Sequence, residues 1–344
     1  MVQFHHIFMS FITSPFIILS STIIIIRTII ALSSSNWIFL WAAIELNILR
    51  FIPLLINSKK FQETEAAVKY FLAQALGSRI ILIRRISIWF YISIPRDFLI
   101  IILVISIILK LGIVPCHLWY PSVITSVSWT SCLILSTWQK LAPLIILSFI
   151  LTPSFTKLII VVARANALMG GIIGINQTRL RSIIAYSSIT HIGWITRLLS
   201  IYKPIITTTY FAIYSIIIAP IFIIFQSKSI NISTNIRKVI LQSPYLQIVI
   251  PILILSLAGL PPLTGFIPKW ITIYSLSHIN SILTIILIIG AIINTYYYIN
   301  IIFNFTIAHV SNIKSILSNT QIPKFQYSVI GTITLLFLPI IFTI

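Results

Sequence analysis

The sequence predicts an all-α membrane protein of many spans, on three observations. Of its 344 residues 58% are hydrophobic and 8% are charged, with a mean hydropathy of +1.09. A soluble domain carries about 25% charged residues, so the polar surface here cannot cover a soluble globule and the bilayer must be the solvent. Second, apolar runs such as STIIII (21–26) and LIIILVISIIL (99–109) continue without the alternation a barrel strand needs. A bilayer admits only helices or closed barrels. Third, these runs recur at about 20 residues, the length that crosses a hydrocarbon core as a helix.

Eleven spans follow in order, at roughly 7–31, 36–56, 63–91, 97–120, 124–149, 155–176, 180–200, 204–227, 242–275, 279–305 and 326–344. The connectors are short and polar: SSSN at 33–36, NSKKFQE at 57–63 and SIPRD at 93–97. The ninth run is too long for one straight helix and contains AGLPPLTGFIPKW, so it predicts a broken helix. No segment has the composition of a soluble domain, which leaves residues 1–344 as one polytopic membrane domain. The N-terminus, MVQFHHIFMSFITSPF, has neither a basic start nor an Arg/Ser-rich leader, so no cleaved targeting segment is expected.

Charge is lopsided: 23 Lys and Arg against 4 acidic residues, formally +19. The basic residues stand singly in or beside apolar runs rather than in a basic, aromatic-interleaved patch, which argues against nucleic acid. Cys116 and Cys132 lie in apolar segments and read as small buried hydrophobes. Cys116-His117 alone is far short of a zinc pattern.

Ionisable groups deep in a span are costly and mark function by default. Glu45 lies mid-helix in NWIFLWAAIELNILRFIPLL, Lys110 opens KLGIVPCHLW, Lys140 sits in STWQKLAPLII and Lys269 in GLPPLTGFIPKW. Each lysine has a helix breaker nearby. Pro115 has no N–H for the Leu111 carbonyl, Pro143 none for Gln139, and Pro261 and Pro262 none for Leu257 and Ala258; Gly265 follows before Lys269. Backbone carbonyls freed at membrane depth need protein or water. A snorkelling lysine beside a simple kink explains one such pair. Three pairs and a lone buried glutamate instead suggest interrupted helices at an ion path. His117 and His191 (in AYSSITHIGW) rank second, because a lone histidine in a span is more often a satisfied core residue.

The strings WAAIELNILRFIPLL, TEAAVKYFLAQALGS, KLGIVPCHLW, STWQKLAPL, GIIGINQTRLRSIIAYSSITHIGW and LAGLPPLTGFIPKW, in this order, cover nearly the whole chain. They resemble the subunit 2 family of mitochondrial NADH:ubiquinone oxidoreductase, respiratory complex I, one of its antiporter-like membrane subunits. The resemblance implies two inverted five-helix repeats with broken helices, here a truncated first repeat at about 7–149, a second at about 155–305 and a C-terminal helix at 326–344. Eleven spans match the animal form, which lacks the first three of fourteen bacterial helices. By motif, Glu45 and Lys110 are implied to form a proton-input ion pair, Lys140 a central relay and Lys269 the terminal lysine, at one depth along a polar axis. His117 and His191 match further positions on it. No flavin, iron–sulfur cluster, quinone site or metal is implied in this chain. NADH, FMN, iron–sulfur clusters and ubiquinone are implied in other subunits, and other membrane-arm subunits and inner-membrane lipids as partners, in the mitochondrial inner membrane.

Electrostatics suggests how such an axis works. An ionised Glu45 stabilises the Lys110 ammonium, and a neutral or distant Glu45 leaves burial to favour the amine. Lysines about 7–12 Å apart, at an effective dielectric near 20, couple by roughly 1.4–2.4 kcal/mol, so charge at one disfavours charge at the next.

Arginines in the spans fit no such scheme. In ALGSRIILIRRISIWF (75–90), Arg84 and Arg85 stand about 140° and 240° around the helix from Arg79. A voltage sensor keeps its arginines on one stripe, so a voltage-gated channel is not favoured. Arg27, Arg50, Arg164 and Arg197 lie in similar runs, and seven mid-span arginines would cost on the order of 20 kcal/mol. At several of these places, NILRFIPLL among them, the family tends to have serine. Many invertebrate mitochondria read AGA and AGG as serine and AUA as methionine, where the standard table gives arginine and isoleucine. With 85 Ile and 3 Met in a family usually rich in Met, both anomalies suggest translation with a standard-type table, and the 8 Trp are compatible with one that reads UGA as Trp. Seven serines would take the formal charge from +19 to +12. Arg181 matches an arginine of the family. A stand-alone cation/proton antiporter is the alternative reading; its subunits normally have three more N-terminal helices.

Overall fold

The computed structural model describes residues 15–56, 60–90, 95–151, 155–227, 244–261, 263–277 and 281–310. Every described element is a helix, as expected. The chain divides into two compact units, Met1–Leu158 and Ile159–Ile344.

In the first unit the helices are α1 (Pro15–Ser33), α2 (Trp37–Leu55), α3 (Phe61–Trp89), α4 (Arg96–Leu111), α5 (Trp119–Ser126), α6 (Trp129–Ser136) and α7 (Trp138–Ile150). Asn36 starts α2, its side chain accepting from the Ile38 N–H at 3.1 Å, which satisfies one of the first-turn donors. Helix α3 packs against α2, α4 and α5; α7 packs against α1, α4 and α6. The core between them mixes aliphatic and aromatic side chains, with Phe51, Leu55, Tyr70, Leu103, Leu111 and Tyr120 fully buried.

The second unit holds most of α8 (Thr156–Ile175), then α9 (Leu180–Leu199), α10 (Pro204–Ser227), α11 (Pro244–Ala258), α12 (Phe266–Ser277) and α13 (Ser281–Val310). Helix α10 packs against α9, α11 and α12, and α13 against the same three. Glycines allow the closest approaches: a Cβ on Gly290 of α13 would meet the Ala167 carbonyl oxygen of α8 at 2.6 Å, and one on Gly170 of α8 the Thr190 methyl of α9 at 2.5 Å. Without a hydrophobic force between helices in lipid, such small-residue contacts are how spans pack.

Six described stretches are long and apolar enough to cross a membrane: Trp37–Leu55, Phe61–Ser87, Trp129–Ile150, Thr156–Ile175, Pro204–Ser227 and Thr284–Phe303. Two expected spans are divided differently. The run at 97–120 stops at Leu111, where Gly112 adopts φ +66° and gives its N–H to the Ile108 and Leu109 carbonyls. Ile113 also returns to Ile108, a left-handed glycine cap. The run at 124–149 is cut at Val127–Ser128 and again at Thr137. The broken ninth run appears as α11 and α12 on either side of 259–265, with Gly259 at φ +73° as its cap. The C-terminal span 326–344, the start of the first span and Pro262 lie outside the described residues.

Candidate functional site

All three lysines named from the sequence are buried, each at a helix interruption and each in a different cradle. Lys110 is the penultimate residue of α4 and 5% exposed. Two carbonyls of this helix end accept from side chains. Trp119 Nε1 donates to the Leu109 oxygen at 3.0 Å, and Gln74 Nε2 donates to the Lys110 oxygen at 2.9 Å. The Lys110 stem lies on Gly77 of α3, where a Cβ would stand 2.8 Å from Lys110 Cγ. Lys110 Nζ is buried without a hydrogen-bond partner. Pro115 lies in the interruption that follows, 112–118, with a cis Val114–Pro115 bond. His117 in the same interruption is buried, and neither ring nitrogen has a partner.

Glu45 of α2 is half-buried, with Oε2 unpartnered. The resemblance implied an ion pair with Lys110, and that contact is not made. Lys69 and Glu65 form an exposed ion pair at 2.6 Å.

Lys140 stands three residues beyond the break at Thr137, its Nζ 4.0 Å from the centroid of the Tyr120 ring. An aromatic face attracts a buried ammonium at that distance. The proline expectation needs correction: Pro143 lies inside α7 and does not break it, and the interruption falls upstream at Thr137. Thr137 accepts from the Lys140 N–H at 3.2 Å while its own hydroxyl returns to the Leu133 carbonyl at 2.7 Å, turning the chain locally.

In the second unit Lys269 of α12 is 6% exposed, and its Nζ donates to the Ala258 carbonyl at 2.6 Å. That is one of the two carbonyls the proline pair frees. Gly259 makes the approach possible, since a Cβ there would meet Lys269 Nζ at 2.8 Å. Pro261 and Gly265 lie in the interruption. His191 is buried in α9, its Nδ1 3.0 Å from the Tyr210 hydroxyl.

Sequence reasoning missed the cradle residues Gly77, Gly259, Gln74 and Tyr120. It also missed Asn47 of α2 and Gln139 of α7, whose side-chain amides pair reciprocally at 3.2 and 3.5 Å. A polar glutamine inside an apolar run, as in FLAQALGS, was the legible signal for Gln74. Nothing in the sequence marks Asn47 and Gln139 as partners.

Buried lysines at interruptions of membrane helices mark this as a membrane protein of the antiporter-like class, and the comparisons agree. The family model described as "NADH:quinone oxidoreductase/Mrp antiporter, TM" matches residues 34–294, and the chain belongs to this family. Within it the chain is 48% identical over 294 residues to NADH-ubiquinone oxidoreductase chain 2 of Lumbricus terrestris, covering 86% of this chain and 88% of that one. It is 35% identical to the chain of the same name from Hippopotamus amphibius, covering 91% of each. In fold it is similar to a chain of respiratory complex I from Thermus thermophilus, with TM-score 0.78 at 20% identity over 94% of this chain and 77% of that one. A chain of the Mrp complex from a Dietzia strain is also similar, with TM-score 0.69 at 17% identity over 81% and 58%.

Proposed function

We propose that this chain is a core membrane-arm subunit of a proton-pumping NADH:ubiquinone oxidoreductase and carries protons along an axis of Glu45, Lys110, Lys140 and Lys269. The burial of three lysines, each at a helix interruption, is the observation that carries this reading. A lysine so placed is poised between amine and ammonium, because burial disfavours the charge while a nearby field or dipole restores it. Lys110 Nζ is buried without a protein partner, Lys140 Nζ faces the Tyr120 ring and Lys269 Nζ binds the Ala258 carbonyl. Three unlike cradles give three sites whose proton affinities can be moved separately, as a relay requires. Within the enzyme this chain holds no redox site; NADH, FMN, iron–sulfur clusters and ubiquinone are bound by other subunits. Its partners are the adjoining membrane-arm subunits and the lipids of the mitochondrial inner membrane, and not nucleic acid.

Lys110→Ala in the assembled complex tests the reading. Proton-coupled NADH oxidation falls at least tenfold while assembly is retained; normal turnover and pumping in an assembled complex would overturn it. Likeness to the Mrp complex favours a second reading, a cation/proton antiporter subunit. In that case the chain purifies without a redox arm.

A further inference from the structure

Two adjacent aromatic residues open α5, and each reaches the surroundings of a different lysine. Trp119 Nε1 donates to the Leu109 oxygen at 3.0 Å, on the last turn of α4 and one residue before Lys110. Tyr120 is 1% exposed, and its ring lies 4.0 Å from Lys140 Nζ, on a lysine that is itself 3% exposed. Both aromatic side chains press on Gly112, the cap of α4. A Cβ there would stand 2.8 Å from Tyr120 Cβ and 3.0 Å from Trp119 Cζ2. The two rings meet edge to face, 5.8 Å apart at 86°. Tyr70 of α3 holds the Trp119 ring as well, at 6.0 Å and 63°. The Tyr120 backbone is fixed too, its N–H donating to the His117 carbonyl at 3.1 Å. The Tyr120 ring is therefore a rigid plate, set by α3 and by the end of α4, with Lys140 of α7 against its face. Interiors packed in this way move between discrete arrangements and do not yield gradually.

We propose that Tyr120 is a positioning residue for Lys140, its ring face seating the ammonium in preference to the amine, and that Trp119 ties this seat to the end of α4 that carries Lys110. The inference rests on the proton-carrying reading above. Its physical basis is the ring quadrupole, whose negative face attracts a cation and holds a neutral amine far less. The attraction is largest where water is excluded, as it is at two side chains this deeply buried. The seat thus works only while Lys140 carries its proton. The ring itself exchanges no proton, and its face needs no hydroxyl. Trp119 acts one step further back: its bond to the Leu109 oxygen fixes where α5 begins, and so where the next residue places its ring. The same dipeptide then touches both lysine sites, and a shift of the α4 end is passed to Lys140 by packing.

The test has two parts in the assembled enzyme. High-resolution electron cryomicroscopy of the unaltered complex shows Lys140 Nζ within about 6 Å of the Tyr120 ring centroid and over its face. An Nζ turned away from the ring overturns the inference, whatever the variants do. Tyr120→Leu removes the quadrupole and keeps an apolar side chain, and it lowers the protons moved per NADH oxidised by roughly threefold or more. Tyr120→Phe keeps the ring face and retains the ratio of the unaltered complex. Equal loss in Tyr120→Phe and Tyr120→Leu would place the effect in the hydroxyl and overturn the seat. A merely structural ring would lower the yield of assembled complex in Tyr120→Leu and leave its proton ratio untouched, which also counts against the proposal. Trp119→Phe, which keeps an aromatic contact and loses the Leu109 bond, falls between the two Tyr120 variants; a ratio equal to that of the unaltered complex overturns the tie to α4. Lys140→Ala separates the two claims. Impaired Lys140→Ala with fully coupled Tyr120→Leu overturns the ring seat alone, and fully coupled Lys140→Ala overturns the role of Lys140 in the proton-carrying reading beneath it.

Discussion

Two glycines do as much at the lysines as the lysines' own neighbours. Gly259 is needed twice, for its φ of +73° and for the space its missing side chain leaves to Lys269. Gly259→Ala is therefore expected to cost about 1 kcal/mol or more from the backbone alone and to push Lys269 off the Ala258 carbonyl. Proton-coupled NADH oxidation of the assembled complex should fall several-fold, and a fully active variant would show that the approach is dispensable. The arginines are the opposite case, side chains with too much to satisfy. Arg197 is 2% exposed; Nη1 reaches Ser200 Oγ at 2.9 Å, and Nε and Nη2 have no partner. Arg164, whose Nε is also unpartnered, adds a second positive charge close enough to be felt. Arg84 stacks on Trp37 at 5.0 Å beside Arg85, with both Nε atoms unpartnered, and Arg27 lines a cavity next to Lys110. Arg50 and Arg79 are exposed on helices that read as spans, where lipid would surround them. By contrast, buried serines in these helices return their hydroxyls to the carbonyl one turn back, as Ser78 does to Ala75 at 2.9 Å and Ser106 to Leu103 at 2.6 Å. Serine at 27, 50, 79, 84, 85, 164 and 197 would remove the unpaired charge at little cost. The gene is expected to carry AGA or AGG at most of these codons and AUA at many isoleucine codons. Peptide mass spectrometry across 75–90 checks it: an uncleaved tryptic peptide with serine masses supports the expectation, and cleavage after 79, 84 and 85 ends it.

At the level of the element, the helix ends decide which carbonyls need help. Helix α4 is capped by Gly112, yet the Lys110 oxygen still needs a donor, which Gln74 supplies from α3, while Trp119 of α5 adds a second donor to the Leu109 oxygen. Gln74→Leu should leave the Lys110 oxygen buried and unpaired, a loss of about 1–3 kcal/mol. The expected result is a lower melting temperature of the assembled complex and faster proteolysis near the 112–118 interruption; an unchanged melting temperature would mean that water replaces the amide. Trp119→Phe removes one donor and keeps most of the apolar contact with Tyr70 and Tyr120, so it should cost less.

In its described residues the molecule is all-helical, with its three buried lysines at helix interruptions, and its proposed role depends on partners. Purified from its own membrane under mild detergent, the chain is expected to travel with a flavin- and iron–sulfur-containing arm. Recovery as a free antiporter subunit would favour the second reading. Much of this was legible from sequence. Composition set the solvent, run length set the helices, and proline next to lysine located Lys110, Lys140 and Lys269 near breaks. These are local properties: a residue's transfer energy and a proline's missing N–H do not depend on what lies across the bundle. The position of the break near Lys140 was not legible, because Pro143 sits inside α7 and Thr137 turns the chain instead. Nor was the separation of Glu45 from Lys110, the ring beneath Lys140, or the amide pair of Asn47 and Gln139, 92 residues apart. Contacts of that kind are chosen when helices settle against one another, since a buried amide or amine takes whichever partner packing brings within about 3 Å. The sequence by itself determined that protonatable groups would lie buried at helix breaks; only the tertiary structure decided what each of them faces.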